Sequence, residues 1–307
     1  MAREVRSSVL TVDTSRVDLV VQALTGASRA VVRGMFDHGC VSVDGATCHE
    51  AGAPAAVGAK IDVVYEPGRR YKEVARAWSN RAFRVVFEDR YLVVVEKNAG
   101  ILTVPTVRRE TDTLVHEVAR HWSRGQRTPQ RAYIVHRLDR DTSGLLVFAR
   151  TEALAQALKS QFEAHKPERE YAAIVAGIVP DDRGTFRSYL ATDEDLDQYS
   201  TDESGEGKLA VTHYEVVQRL RGATFLKVHL ETGRRNQIRV HFAETGHPVL
   251  GDPRYEPRLA VHPAWRHPRL ALHARTLGFQ HPVTGVAVRV TTELPEAMRV
   301  FLETNAI

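Results

Sequence analysis

Within SRVDLVVQALTGASRAVVRGMFDHG, residues 15–39, apolar positions recur at helical spacing in two short runs, and in the VSVDGATC beyond them they switch to alternation. This pattern predicts two helices followed by a hairpin. Ser28 stands where the second helix needs an N-cap, Gly39 where it needs a stop, and Asp44-Gly45 where a tight turn needs two left-handed residues. Residues 1–68 therefore read as a small αα-plus-hairpin module.

Beyond residue 82 the pattern becomes β-rich. FRVVFEDRYLVVVEKNAGILTVP holds two strand-like runs parted by an Asp-containing turn and ended by Gly100 and Pro105. TDTLVHEVARHW has helical spacing, with Thr111 or Asp112 as its N-cap. EYAAIVAGIV, KLAVTHYEVVQRL, ATFLKVHLET, QIRVHFAET, LALHARTLGF and VAVRVTTEL then alternate between β-rich and helical character, with no GxGxxG, no Walker loop and no fixed-period repeat. Residues 83–307 are thus expected to form an α+β domain on a mixed, largely antiparallel sheet. Residues 193–208, DEDLDQYSTDESGEGK, are acidic and aperiodic, which predicts a mobile, solvated loop.

Composition narrows the classes. The chain has 307 residues, 43% hydrophobic and 26% charged, the profile of a globular protein. No apolar run approaches the roughly 18–20 residues of a membrane span, and the first residues lack a signal-peptide core, so a cytoplasmic location without membrane contact is expected. Cys40 and Cys48 are too few for a disulfide framework and read as reduced, structural thiols. A formal charge of +4 permits a nucleic-acid partner, and its distribution is uneven: residues 1–68 carry −2, residues 69–82 carry +4, and the remainder carries +2. Residues 69–82 therefore read as a basic linker between two domains.

Arg29 and Arg33, four apart, share one helix face. That spacing suits two phosphate contacts and equally suits a solvated face. More charge is packed into YIVHRLDRDTSGLLVFAR, residues 133–150, between two apolar runs. Burying such charge is costly unless it is paired or used, so the pattern alone leaves an ion-pair knot and a reaction centre both open. Asp139-x-Asp141-Thr142 also comes close to the DxDxT motif of certain phosphatases, with the Thr one position early. That chemistry needs a strand running straight into the first Asp and a downstream Asp pair for magnesium; His136-Arg137-Leu138 intervenes and no such pair follows. His262, His267, His273 and His281 lie in Pro-broken segments without helical metal-ligand spacing, and no metal is expected.

HRLDRDTSGLL closely resembles the signature of the RluA family of RNA pseudouridine synthases. EDRYLVVVEKNAGILTVP, EYAAIVAG, TGRRNQIRVHFAETGHPVLGDPRY and RLALHARTLGFQHPVTG resemble further family segments, in order, across most of 83–307. The N-terminal helix pair and hairpin resemble the S4-like RNA-binding module, although its net charge of −2 departs from the strongly basic examples. Asn98 and Asn236 stand where the family usually has Pro and His.

The resemblance implies a cofactor-free isomerisation of uridine to pseudouridine in structured RNA. It assigns Asp139 as the essential carboxylate, acting as nucleophile or base at the ribose, and Arg239 as its basic partner, a cation expected to hold Asp139 at or below its ordinary pKa. Tyr171 would stack on the uracil, Arg137 would fill the gap left by the flipped uridine, and Leu272 would floor the pocket. His136 would be structural, with Asp141 and Thr142 bonding the turn's backbone. Arg29 and Arg33 become candidate RNA contacts. Large-subunit ribosomal RNA is the favoured partner because of the appended module, with transfer RNA as the alternative and a non-catalytic RNA-binding assembly factor as the rival of another class. A monomer is expected.

Overall fold

The computed structural model describes residues 4–11, 16–48, 51–68, 71, 82–106, 109–164, 166–194, 197–202 and 207–307. Apart from Tyr71 and Ala82, the basic linker read at 69–82 lies outside the described residues. The chain divides into two compact units, Met1–Arg76 and Ala77–Ile307.

The first unit contains β1 (Glu4–Val9), α1 (Val17–Thr25), α2 (Arg29–Asp37), β2 (Val41–Val43), β3 (Ala46–Thr47) and β4 (Lys60–Tyr65). Its strands form an antiparallel sheet in the order β1-β4-β2-β3, so the predicted hairpin is one half of a four-stranded sheet. Val17 and Val21 of α1 and Val32, Met35 and Phe36 of α2 recur at the spacing of one helix face, and they are buried with Val41, Ile61 and Val63. Gly39 (φ 66) ends α2, and Asp44 (φ 50) with Gly45 (φ 81) makes the two-residue turn between β2 and β3. Ser28 takes the N-cap position of α2, but its side chain makes no capping bond. Cys40 and Cys48 are half-buried on either side of the hairpin.

Among the described residues the second unit is built on one eleven-stranded sheet. Its strands are β5 (Phe83–Glu88), β6 (Leu92–Lys97), β7 (Tyr133–Ile134), β8 (Ser143–Ala149), β9 (Glu168–Ala176), β10 (Arg183–Thr192), β11 (Gln198–Thr201), β12 (Lys208–Leu220), β13 (Ala223–Leu230), β14 (Leu272–Gln280) and β15 (Ala287–Thr291). Their order is β11-β10-β12-β13-β9-β14-β8-β6-β5, with β15 on β14 and β7 on β8. Among the described residues only β14 and β8 run parallel, over His273–Ser143 and Ala274–Gly144. At that contact Gly144 (φ 120) leaves no room for a side chain, since a Cβ would lie 2.2 Å from the Ala274 carbonyl oxygen.

Among the described residues four helices cover the sheet: α3 (Leu114–Ser123), α4 (Glu152–Glu163), α5 (Gln237–Glu244) and α6 (Glu296–Asn305). Leu114, Val118 and Trp122 of α3, Ile238 and Phe242 of α5, and Met298 and Phe301 of α6 enter the main core. Ala155 and Leu158 of α4 enter a separate core with Leu145, Val147, Leu92 and Val94. Strands β6 and β8 are thus covered on both faces, which is why LVVV and GLLVFA are continuous apolar runs. In β10, by contrast, Arg183, Thr185 and Arg187 face solvent while Phe186 packs inward.

Two local expectations are corrected. The N-cap of α3 is Thr113, not Thr111 or Asp112, and its hydroxyl bonds His116 Nδ1 at 2.9 Å rather than a backbone amide. In the acidic stretch, Gln198–Thr201 is a strand paired antiparallel with β10, tied down by the Ser200 amide donating to Glu244 Oε1 at 2.7 Å. Backbone pairing and a charged acceptor hold this segment, neither of which requires apolar periodicity.

Candidate active site

The charged segment after β7 is a loop, residues 135–142, that turns back into β8. Its apolar anchor is Leu138, 4% exposed, whose carbonyl accepts from Thr103 Oγ1 at 2.6 Å. A second clamp comes from Lys97, fully buried at the end of β6, whose Nζ donates to the carbonyls of Arg140 (2.7 Å), Ile101 (2.8 Å) and Asn98 (2.9 Å). Three acceptors match the three protons of an ammonium. Burial pulls the Lys97 pKa down to about 7, against the charges of Asp141 and Asp139, which raise it. Lys97→Met leaves these carbonyls without their donor and frees the loop carrying Asp139. Turnover is expected to fall by about 10²-fold while RNA affinity is retained, a split that single-turnover kinetics beside equilibrium binding will resolve.

The loop lines a cavity of about 420 Å³ together with Arg169 and Tyr171 of β9, the segment after β13, the first turn of α5, and Leu272. This volume is within the range of small-ligand sites. Asp139, Tyr171, Arg239, Arg137 and Leu272, separated by up to half the chain in sequence, therefore meet at one cavity. Arg29 and Arg33 lie elsewhere, exposed on α2 of the first unit.

Asp139 departs from expectation in its electrostatics. Burial pushes its carboxyl above the ordinary value, outweighing the charges of Arg239, Arg137 and Arg235 and the Asn236 backbone amide, which all favour ionisation. A string of residues reveals the neighbouring charges but not how far the surrounding chain excludes water.

Arg239 is held by a residue that the sequence reading missed. Its Nε and Nη2 each donate at 2.7 Å to the carboxylate of Asp252, a buried, two-pronged pair. Asp252 Oδ1 also accepts the amides of Arg254 (2.9 Å) and Tyr255 (3.1 Å). The direct partner of Arg239 is thus Asp252, and its influence on Asp139 is through charge. The available signal was the acidic residue in GDPRY.

Asn236 occupies the left-handed region (φ 53), which asparagine tolerates better than most side chains. Its Nδ2 donates to the Tyr255 hydroxyl and its Oδ1 accepts from Arg239 Nη1, both at 2.9 Å. The departure from His thus keeps a polar brace on the guanidinium. Next to it, Gln237 Oε1 accepts from Thr232 Oγ1 (2.8 Å) and the Arg234 amide (2.9 Å), fixing the loop that carries Arg234 and Arg235.

Tyr171 is 8% exposed and burial raises its hydroxyl pKa to about 12, so it enters any reaction near neutrality as a neutral phenol. Arg169, two residues earlier, donates to the carbonyls of Leu230 (3.1 Å) and Glu231 (2.6 Å), tying β9 to the loop after β13. Leu272 is 3% exposed and supplies apolar wall, whereas Arg137 is exposed at the cavity.

His136 is structural: it stacks on Phe162 at 4.6 Å, its Nε2 accepts the Val147 amide at 3.3 Å, and burial lowers its pKa to about 3. Asp141 and Thr142 do not bond the turn's backbone through their side chains as expected. Asp141 pairs with Arg140 at 3.2 Å, and Thr142 Oγ1 has no hydrogen-bond partner among the described residues. The histidines of the C-terminal segments are engaged separately: His262 with the Arg221 carbonyl (2.8 Å), His267 edge-on to Trp265 (5.4 Å), His273 with Ser143 (2.7 Å) and Thr292 (2.9 Å), and His281 with Asp89 (2.9 Å).

Asp139 set among several guanidiniums, beside a neutral phenol and an apolar wall, suits an anionic polymer that presents one flat ring. Known proteins point the same way. Ribosomal large subunit pseudouridine synthase D of Pseudomonas aeruginosa is 33% identical over 287 residues, 91% of this chain and 88% of that one. Its namesake from Zymomonas mobilis is 39% identical over 227 residues, 71% of each chain. Among solved structures, human RNA pseudouridylate synthase domain containing 4 shares the fold, with a TM-score of 0.58 and 24% identity over 71% of this chain and 91% of that one. The sequence model of the RNA pseudouridylate synthases matches residues 91–244. Asp139, Tyr171 and Arg239 all fall within that match, and the chain belongs to the RNA pseudouridylate synthase family.

Proposed function

We propose that this protein converts a uridine of large-subunit ribosomal RNA to pseudouridine, with Asp139 as the group that acts on the ribose. The observation that carries the choice of RNA is the relative from Pseudomonas aeruginosa, named for the ribosomal large subunit, whose match takes in 91% of this chain. The site supports the chemistry. Isomerisation requires the C1′–N1 bond to break, the uracil to turn, C5 to join C1′, the C5 proton to leave and N1 to end protonated, with no net redox change.

An ionised Asp139 serves that sequence as nucleophile at the ribose or as base. Arg239, Arg137, Arg235 and the Asn236 amide favour the ionised form against the cost of burial. Tyr171 offers a face for the uracil, Leu272 closes the apolar side, and Arg137 reaches into the space vacated by the flipped base. No helix among the described residues is long and apolar enough to cross a membrane, which fits work on RNA in the cytoplasm.

The test is mass-spectrometric mapping of pseudouridine, after cyanoethylation, in total RNA from cells with and without the gene. Loss of a site in large-subunit ribosomal RNA supports the reading. Loss confined to transfer RNA moves the substrate there, and no loss at any site counts against both.

In the first unit, the exposed Arg29 and Arg33 are assigned phosphate contacts on α2. Replacing both with Ala is expected to flatten the slope of log affinity against log salt by roughly 1.4 to 1.8, read from binding titrations at several salt concentrations. An unchanged slope returns both to solvent.

A further inference from the structure

His273 is fully buried where β14 meets β8, directly across from Ser143, the first residue of β8. Ser143 Oγ lies 2.7 Å from His273 Nδ1 and also receives Arg269 Nη2 at 2.7 Å. On the far side of the ring, Nε2 lies 2.9 Å from Thr292 Oγ1, whose hydroxyl donates to the Arg275 carbonyl at 3.4 Å. A guanidinium cannot accept and a carbonyl cannot donate, so the two ends of this chain dictate, independently and in agreement, where each proton sits. Ser143 accepts from Arg269 and gives its own proton to Nδ1; Nε2 carries the ring's single proton and gives it to Thr292. Burial, with the charges of Arg269 and Arg275, pulls the His273 pKa down to about 3 against the Glu293 backbone, which raises it, so the ring is neutral. Glu96 Oε1 stands 3.9 Å from Nε2, beyond hydrogen-bond reach, and Glu96 pairs with Arg84.

We propose that His273 is a positioning residue for Asp139: as the tautomer protonated on Nε2, it holds the Ser143 hydroxyl and so fixes the turn that presents the carboxylate. The inference rests on the reaction proposed for Asp139. Ser143 directly follows Thr142, whose amide closes the turn on the Asp139 carbonyl at 3.2 Å. On its other side Gly144 already touches Ala274, where a Cβ would lie 2.2 Å from the carbonyl oxygen, so β8 has no room to move closer to β14. Leu272, one residue before His273, lines the cavity with Asp139. The Ser143–His273 bond therefore sets the spacing between the Asp139 turn and the apolar wall. No proton moves along the chain during the reaction; its orientation holds geometry, and a misplacement of about 1 Å at a reacting group is enough to cost about 10²-fold in rate.

The test measures kcat, KM and Tm for wild type, Ser143→Ala, His273→Asn and His273→Gln as full chains acting on an unmodified transcript of large-subunit ribosomal RNA. Asn sets a carbonyl oxygen near the place of Nδ1 and keeps the acceptor for Ser143, whereas Gln reaches towards Thr292 and gives that acceptor up. His273→Gln and Ser143→Ala are expected to lower kcat by about 10- to 100-fold with KM nearly unchanged, while His273→Asn stays within about threefold of wild type. A packing role predicts instead that Asn and Gln lose turnover together and in step with Tm, and that result overturns the proposal. A Ser143→Ala enzyme as fast as wild type overturns it as well, and decides the matter by itself if the His273 variants do not fold. Wild-type protein that forms no pseudouridine overturns the uridine reading itself and this proposal with it.

Discussion

Asp139→Asn is expected to bind RNA as wild type does and to make no pseudouridine, with turnover falling by about 10³-fold or more. The replacement preserves shape and removes the only feature that either mechanistic reading uses, an ionisable carboxylate. It also reports on the cost of holding that carboxylate in the cavity. Burial raises the folded-state pKa of Asp139, so between the unfolded and folded values the folded chain binds more protons than the unfolded one. Stability contributed by the protonated group is therefore lost as pH rises, and the ionised Asp139 destabilises the fold at neutral pH. Asp139→Asn is expected to melt at a higher temperature than wild type near pH 7, with the advantage vanishing at pH values below the ordinary carboxylate range, where Asp139 is protonated in both states. Turnover by wild type follows the same titration with the opposite benefit. Its acid limb is expected to lie above the ordinary Asp value of about 3.9. An Asp139→Asn protein that turns over like wild type would remove the carboxylate from the chemistry altogether.

How far the site could be read in advance depended on the reach of each interaction. Asp44-Gly45 and Gly39 announced their turns because the backbone conformation is a property of one or two residues. The Asp139 loop was conspicuous because charge between two buried runs is rare without a use. Asp252, by contrast, is bound to Arg239 through a loop thirteen residues on, and nothing in its local pattern distinguishes it from a surface turn. Lys97 ended an apolar strand, where a lysine ordinarily leads out to solvent; only the tertiary fold brings three carbonyls to it. The raised pKa of Asp139 was misjudged for a related reason: charged neighbours are visible in a motif, whereas desolvation is a sum over the whole surrounding chain.

Breaking the Arg239–Asp252 pair is expected to produce the largest loss of stability among the site variants, about 3–5 kcal/mol for either partner. Both side chains are almost fully sealed, 8% and 0% exposed, so removing one leaves the other as an uncompensated buried charge. The two variants nevertheless differ in what they do to Asp139. Asp252→Asn leaves the guanidinium charge in place, braced by Asn236 at 2.9 Å and set against the Tyr255 ring at 4.9 Å. Arg239→Met removes the largest charge that favours ionisation of Asp139, so the carboxyl rises further. Denaturant melts should therefore place both variants well below wild type, whereas the acid limb of the rate profile should move to higher pH in Arg239→Met and stay near its wild-type position in Asp252→Asn. Measured at a temperature where both remain folded, that contrast separates the two duties of one arginine, fastening α5 to the loop at Asp252 and setting the protonation of Asp139. An acid limb that does not move in Arg239→Met would leave it only the first.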